Sequence, residues 1–244
     1  MPACLVGGRR ASPVPQGRAD MTFQALIIDC LRHGECEGPQ QCLRGQTDVS
    51  LSVSGRRNML AAARTLPRPH AIISSPLIRC ASAGEVLAEE WNVPLHVMPE
   101  IMEMNFGAWD GIATQELLKH SRSELEQFWS NPRAFPPPKG ETVNAFLTRI
   151  EQGWKNILDR GTALADTADH QDDASIRLLV FGHAGVIKSW VAMRIGMSMQ
   201  KGDWLHRLSL PYAGLARLRV DIDRQSHEQF EQLCHLGAPV GNDV

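Results

Sequence analysis

The stretch "FQALIIDCLRHGE", Phe23–Glu35, opens as an apolar run and closes on an arginine, a histidine, a glycine and a glutamate. A short apolar run of this kind reads as a buried strand, and polar groups at its end lie where open α/β sheets present their ligands. Two other stretches repeat the arrangement. "AIISS", residues 71–75, runs through Pro76 and Leu77 to Arg79, and "RLLVF", residues 177–181, runs into Gly182, His183, Ala184 and Gly185. Separate strand ends thus supply groups with affinity for an anion.

Helical patterns fill the spaces between these strands. Leu51–Leu66 starts at Ser52 or Ser54 and is stopped by Pro67, and "LIRCASAGEVLAEEW" follows the second strand. The stretches "ATQELLKH" and "SELEQFWS" read as short helices before the proline-rich loop "NPRAFPPPKG". "ETVNAFLTRIEQGWKNILDR" repeats its apolar residues every three or four positions, and the polar stretch "GTALADTADHQDDAS" reads as a loop. "GHAGVIKSWVAMRIG" turns directly into a helix, and "LARLRV" reads as the last core strand. Strands alternating with helices predict an α/β three-layer sandwich around a central, mostly parallel sheet.

Composition bounds the setting. The 244 residues carry 25 Lys and Arg against 27 Asp and Glu, a net charge of -2, so the charge balance asks for neither nucleic acid nor a membrane surface. No apolar run reaches the ~20 residues needed to span a bilayer. The six cysteines, at 4, 30, 36, 42, 80 and 234, have no paired CxxC spacing and read as free thiols in a reducing, cytoplasmic compartment. Residues 1–20, rich in Pro, Gly and Arg, are expected to be a disordered extension, with Met21 directly preceding a single domain over 21–244.

The ordered set "LRHGE", "RGQTDVSLSVSG", "SSPLIRCASAGEVLAE", "MEMNFGAWDG" and "GHAGVI" resembles the histidine phosphatase superfamily, also called phosphoglycerate-mutase-like, across roughly residues 24 to 220. The resemblance implies a nucleophile at His33, a phosphate pocket completed by Arg32, Arg79 and His183, and a proton donor at Glu103. These residue types suit the chemistry. A ring nitrogen can form a phosphohistidine and split hydrolysis into two transfers, while cationic forks stabilise charge spread over the phosphoryl oxygens. His183 is expected to donate as an imidazolium, and Glu35 to support the pocket rather than act as the acid. Neither a cofactor nor a metal is implied.

Two positions depart from the family pattern. Cys36 stands where Thr or Ser is frequent, and Ala184 where Gly is frequent. The short segment between Glu103 and "PPKGETVNAFLTRI" favours phosphatases over mutases, and similarity to the alpha-ribazole phosphatase branch implies a 5'-phosphate of cobalamin assembly as substrate. On that reading Arg44, Gln46, Thr47 and Ala184 are candidate substrate contacts, and Phe106 and Trp109 are candidates to stack on a flat base. The alternatives are a phosphoglycerate mutase-like phosphotransferase, a broad sugar or nucleotide phosphatase, and an inactive phospho-ligand binder. The expected partner is a small phosphorylated substrate, with homodimerisation left open.

Overall fold

The computed structural model describes residues 23–167, 175–200 and 202–239. The expected N-terminal extension lies outside them. Six strands form one sheet in the order β3-β2-β4-β1-β5-β6: β1 (Phe23–Arg32), β2 (Ala71–Ser74), β3 (Leu95–Val97), β4 (Ile176–Gly182), β5 (Leu215–Asp223) and β6 (Gln229–Gly237). The four from β3 to β1 run parallel, and β5 and β6 add antiparallel on the far side.

The parallel strands are largely apolar because both faces of the sheet are covered. On one face Ile28, Ile73 and Val180 meet Ile150 and Trp154 of α5 (Val143–Ala165) and Ile187 and Trp190 of α6 (Ala184–Arg194). On the other, Leu31, Ile72 and Phe181 meet Met59 of α1 (Val53–Arg64) and Leu87 of α2 (Ile78–Trp91). Three shorter helices, Thr114–His120, Arg122–Ser130 and Asp203–Arg207, complete the described set. Asp29, the one carboxylate inside β1, is matched in register with Arg217 of β5, which donates to it at 2.6 and 3.0 Å. That pairing offsets the cost of burying the charge.

The predicted elements are present, alongside others that were not anticipated, among them the helix Asp203–Arg207. The helix begun at Val143 continues through Gly161 to Ala165, into the stretch expected to be a loop. The strands β3 and β6 were not anticipated, and β5 is therefore not the last. The cysteines Cys30, Cys36, Cys42, Cys80 and Cys234 are free thiols. Among the described residues, no helix is long and apolar enough to cross a membrane.

Candidate active site

Strand register assembles the site. Arg32 of β1 stands level with Gly182 of β4, and the next backbone amide, that of His33, donates to the Gly182 carbonyl at 3.0 Å. His33 and His183 therefore emerge side by side, their rings 5.4 Å apart. The end of β2 joins them through the Ser75 amide, which donates to Phe181 at 3.1 Å. All three sequence-predicted strand ends thus meet at one edge of the sheet.

His33 is buried, and its Nδ1 lies 2.8 Å from the Gly34 carbonyl oxygen. A carbonyl can only accept, so Nδ1 carries the hydrogen and Nε2 keeps its lone pair. Burial first, and Arg79 second, push the ring down to about 3, so it is neutral through ordinary pH. The carbonyl is held by close backbone packing: a Cβ on Gly34 would lie 2.1 Å from the Gly55 oxygen at the start of α1. Cys36 sits beside Nδ1, its sulfur 3.5 Å away, rather than on the pocket wall. Glu35 accepts from Ser54 Oγ at 3.2 Å, a structural contact consistent with its expected supporting place.

His183 is arranged differently from the expected imidazolium. It is wholly buried, and burial together with Arg79 holds it well below the usual histidine range. Arg79 Nε donates to its Nδ1 at 3.3 Å, so the remaining hydrogen is on Nε2 and points to Ser75 Oγ at 2.8 Å. Desolvation and a neighbouring cation both oppose protonation here. Arg79 also donates to the carbonyls of Thr47 at 3.0 Å and Gly45 at 2.5 Å. Arg79 and His183 thus stand behind the cavity wall.

The loop carrying those carbonyls is clamped by a residue that sequence reasoning passed over. The Asp110 carboxylate accepts from the amides of Gly45 (3.0 Å), Gln46 (2.7 Å) and Thr47 (3.2 Å), and from Thr47 Oγ1 (2.8 Å). Gln46 Nε2 donates to the Glu103 carbonyl at 3.2 Å. Gln46 and Thr47, expected as substrate contacts, are bound into this clamp, and neither lines the cavity. Their place is to hold Arg79 and the backbone of Glu103.

Arg32 and Arg44 do face the cavity. Arg32 Nη1 donates to the Leu210 carbonyl at 2.7 Å, and its guanidinium lies 4.1 Å over the Tyr212 ring. Arg44 Nη2 donates to Pro39 at 2.7 Å. Arg32 Nε and Arg44 Nη1 are buried with no hydrogen-bond partner among the described residues. Buried donors left unpaired are costly unless a ligand completes them, and an anion does so best.

Glu103 is buried at the opposite wall, where the amides of Met104 and Gly185 donate to its two oxygens at 3.0 and 2.9 Å. Burial raises its pKa, against the lowering effect of those amides. Gly185 is required at the start of α6 because a Cβ there would lie 2.3 Å from Glu103 Oε1. Arg149 of α5, also missed in the sequence, donates to the carbonyls of Glu100 and Met102 at 2.8 Å each and of Glu103 at 3.3 Å. It fixes the segment from behind.

These walls enclose a cavity of about 260 Å³. His33, Arg32, Glu103 and Ala184 line one part of it and aromatic side chains the rest. Phe106 lines it, but Trp109 is buried behind Phe128, ring to edge at 5.7 Å, and so cannot stack on a ligand. Among the described residues no cluster of His, Cys, Asp or Glu could hold a metal ion.

Sheet, cavity and side chains define an α/β fold whose cavity presents unpaired arginine donors suited to an anion. The chain belongs to the Histidine phosphatase superfamily (branch 1), matched over residues 28–232. It is 31% identical over 151 residues to the Bifunctional protein Rv2228c of Mycobacterium tuberculosis, a match covering 60% of this chain and 41% of that protein. The chain therefore spans about two fifths of the length of that relative. It is 26% identical over 198 residues to the Adenosylcobalamin/alpha-ribazole phosphatase of Salmonella typhimurium, covering 78% of this chain and 84% of that protein. In fold it is similar to the mycobacterial glucosyl-3-phosphoglycerate phosphatase, with a TM-score of 0.73, 20% identity and coverage of 88% and 100% of the two chains. Several branches match equally well, so the alpha-ribazole branch does not stand out.

Proposed function

We propose that the chain hydrolyses small phosphomonoesters through a phosphohistidine at His33. The observation that carries the reading is the Nδ1–H of His33 held on the Gly34 carbonyl at 2.8 Å, which leaves Nε2 as a nucleophile in a ring that burial keeps neutral. The Nε2 lone pair attacks phosphorus as the P–O bond to the alcohol breaks. Glu103, raised by burial and therefore available as an acid, gives its proton to the departing alkoxide. As a carboxylate it then takes a proton from water, whose oxygen attacks phosphorus. Inorganic phosphate leaves and the Nε2 lone pair returns.

Arg32 and Arg44 supply the unpaired donors that charge developing on the phosphoryl oxygens would complete. Arg79 uses three bonds to fix His183 and the loop at 45–47 and acts from behind the cavity wall. Alpha-ribazole 5'-phosphate is one candidate substrate among several, supported by the Salmonella relative and matched by the similarity to a glucosyl-3-phosphoglycerate phosphatase.

The test is a panel of alpha-ribazole 5'-phosphate, phosphoglycerates, nucleotides and sugar phosphates, followed by inorganic phosphate release and by phosphorus NMR. Release of phosphate is expected. Migration of phosphate between positions of a phosphoglycerate without release would overturn hydrolysis in favour of a mutase.

A further inference from the structure

We infer that the alcohol half of the substrate is uncharged and apolar, an aryl or hydrocarbon group seated in the aromatic part of the cavity. This rests on the hydrolytic reading above and names its substrate class. Beyond His33, Arg32 and Glu103 the same cavity is walled by Met104, Phe106, Phe128, Val143, Phe146 and Trp204. Phe106 and Phe128 meet edge to face, 6.2 Å apart at 89°. The one polar atom of the Trp204 ring, Nε1, donates to Ser189 Oγ at 3.0 Å, so it offers no hydrogen bond to a ligand.

The charged side chains of the cavity are partly engaged. Lys188 lines the cavity but its Nζ donates to the Leu205 carbonyl at 2.8 Å, and Arg44 Nη2 is held by Pro39. Lys188, Arg44 and His206 also line the cavity, but a second anionic group seated among Phe106, Phe128, Val143, Phe146 and Trp204 would lie against hydrocarbon, where an unpaired charge is costly. Hydroxyls of a sugar would lose water for few partners. An apolar group, by contrast, gains from leaving water. The cavity volume, about 260 Å³, falls just below the roughly 300–1,000 Å³ of clefts for drug-sized ligands. It therefore suits one compact group.

The experiment compares primary alkyl phosphates, whose leaving alkoxides are similar, so that differences report binding rather than chemistry. With the full chain, kcat/KM is expected to climb from ethyl to butyl to hexyl phosphate by about three- to fourfold per methylene until the space is filled. 2-Phenylethyl phosphate should exceed glycerol 3-phosphate and 3-phosphoglycerate by about ten- to a hundredfold. Phe106→Ala, checked for folding by near-UV circular dichroism, should shrink that ratio severalfold. A flat alkyl series, or preference for 3-phosphoglycerate over butyl phosphate, would overturn the chamber assignment while leaving hydrolysis intact. Failure to cleave any ester, with no phosphoenzyme formed, would instead overturn the hydrolytic reading and this inference with it.

Discussion

One cavity has two unlike ends. At the phosphate end the polar side chains lock one another in place: Asp110 holds the loop, the loop and His183 hold Arg79, and Gly34 holds His33. At the alcohol end, Phe106, Phe128, Phe146 and Trp204 offer surface rather than hydrogen bonds. The difference separates two tasks. Charge developing in a transition state needs donors already aimed at it, whereas discrimination among alcohols needs only shape and hydrophobicity.

Breaking the phosphate end should cost far more than altering the alcohol end. The largest loss is expected for His33→Ala, about 10,000-fold or more in kcat, because no second base replaces a nucleophile; steady-state phosphate release measures it. Glu103→Gln follows, with a loss of about 100- to 10,000-fold on alkyl phosphates and a much smaller one on 4-nitrophenyl phosphate, whose leaving group needs no proton. Because burial raises the Glu103 pKa above the ordinary carboxylate value, its acid form persists as pH rises and is lost beyond that raised value. The alkaline fall in wild-type kcat/KM should therefore be absent from Glu103→Gln, and an unchanged fall would assign it elsewhere.

Asp110→Ala sharpens the comparison without touching a reacting atom. Freeing the loop at 45–47 loosens Arg79, and a misplacement of this kind is expected to reduce kcat by roughly ten- to a hundredfold. Asp110→Asn, which keeps one acceptor oxygen, should recover part of the loss. A merely structural role would lower the melting temperature with kcat unaltered.

The smallest effect is on stability. His33 and His183 are buried neutral, with folded pKa values below their unfolded ones, about 3 for His33. Between about pH 6.5 and those lower values the unfolded chain binds protons the native chain refuses, so stability is full above that window and falls as pH is lowered through it. Glu103, raised, acts in the opposite sense, which leaves two histidines against one carboxylate. The urea midpoint should drop between pH 7 and pH 5, and the slope should shrink in His33→Asn. A midpoint independent of pH would contradict the neutral burial.

Legibility in the sequence followed the same division. Buried strands leading into Arg32, Arg79 and His183 were readable because parallel strands covered on both faces are continuous apolar runs. The edge strand Gln229–Gly237 was not, since none of its residues is fully buried and it carries no such run. Gly161 looked like a helix breaker, yet it is where α5 packs closest to β1, a Cβ there lying 2.8 Å from Leu26 Cδ1. At the site, Arg32, His33 and Glu103, which touch the cavity, carried motif signals. Asp110 and Ser75 lie inside the motifs and Arg149 outside them, and none had a role readable from sequence, because they act on backbone atoms or on other side chains that only the fold brings near.

The central claim is the covalent intermediate at His33. The most direct measurement is rapid mixing of the full chain with a ³²P-labelled alkyl phosphate, quenched in alkaline detergent and mapped by peptide. Acid-labile, base-stable label is expected on the peptide bearing His33, formed within one turnover, prolonged in Glu103→Gln and absent in His33→Ala. Label on another residue, or undiminished turnover in His33→Ala, would contradict it.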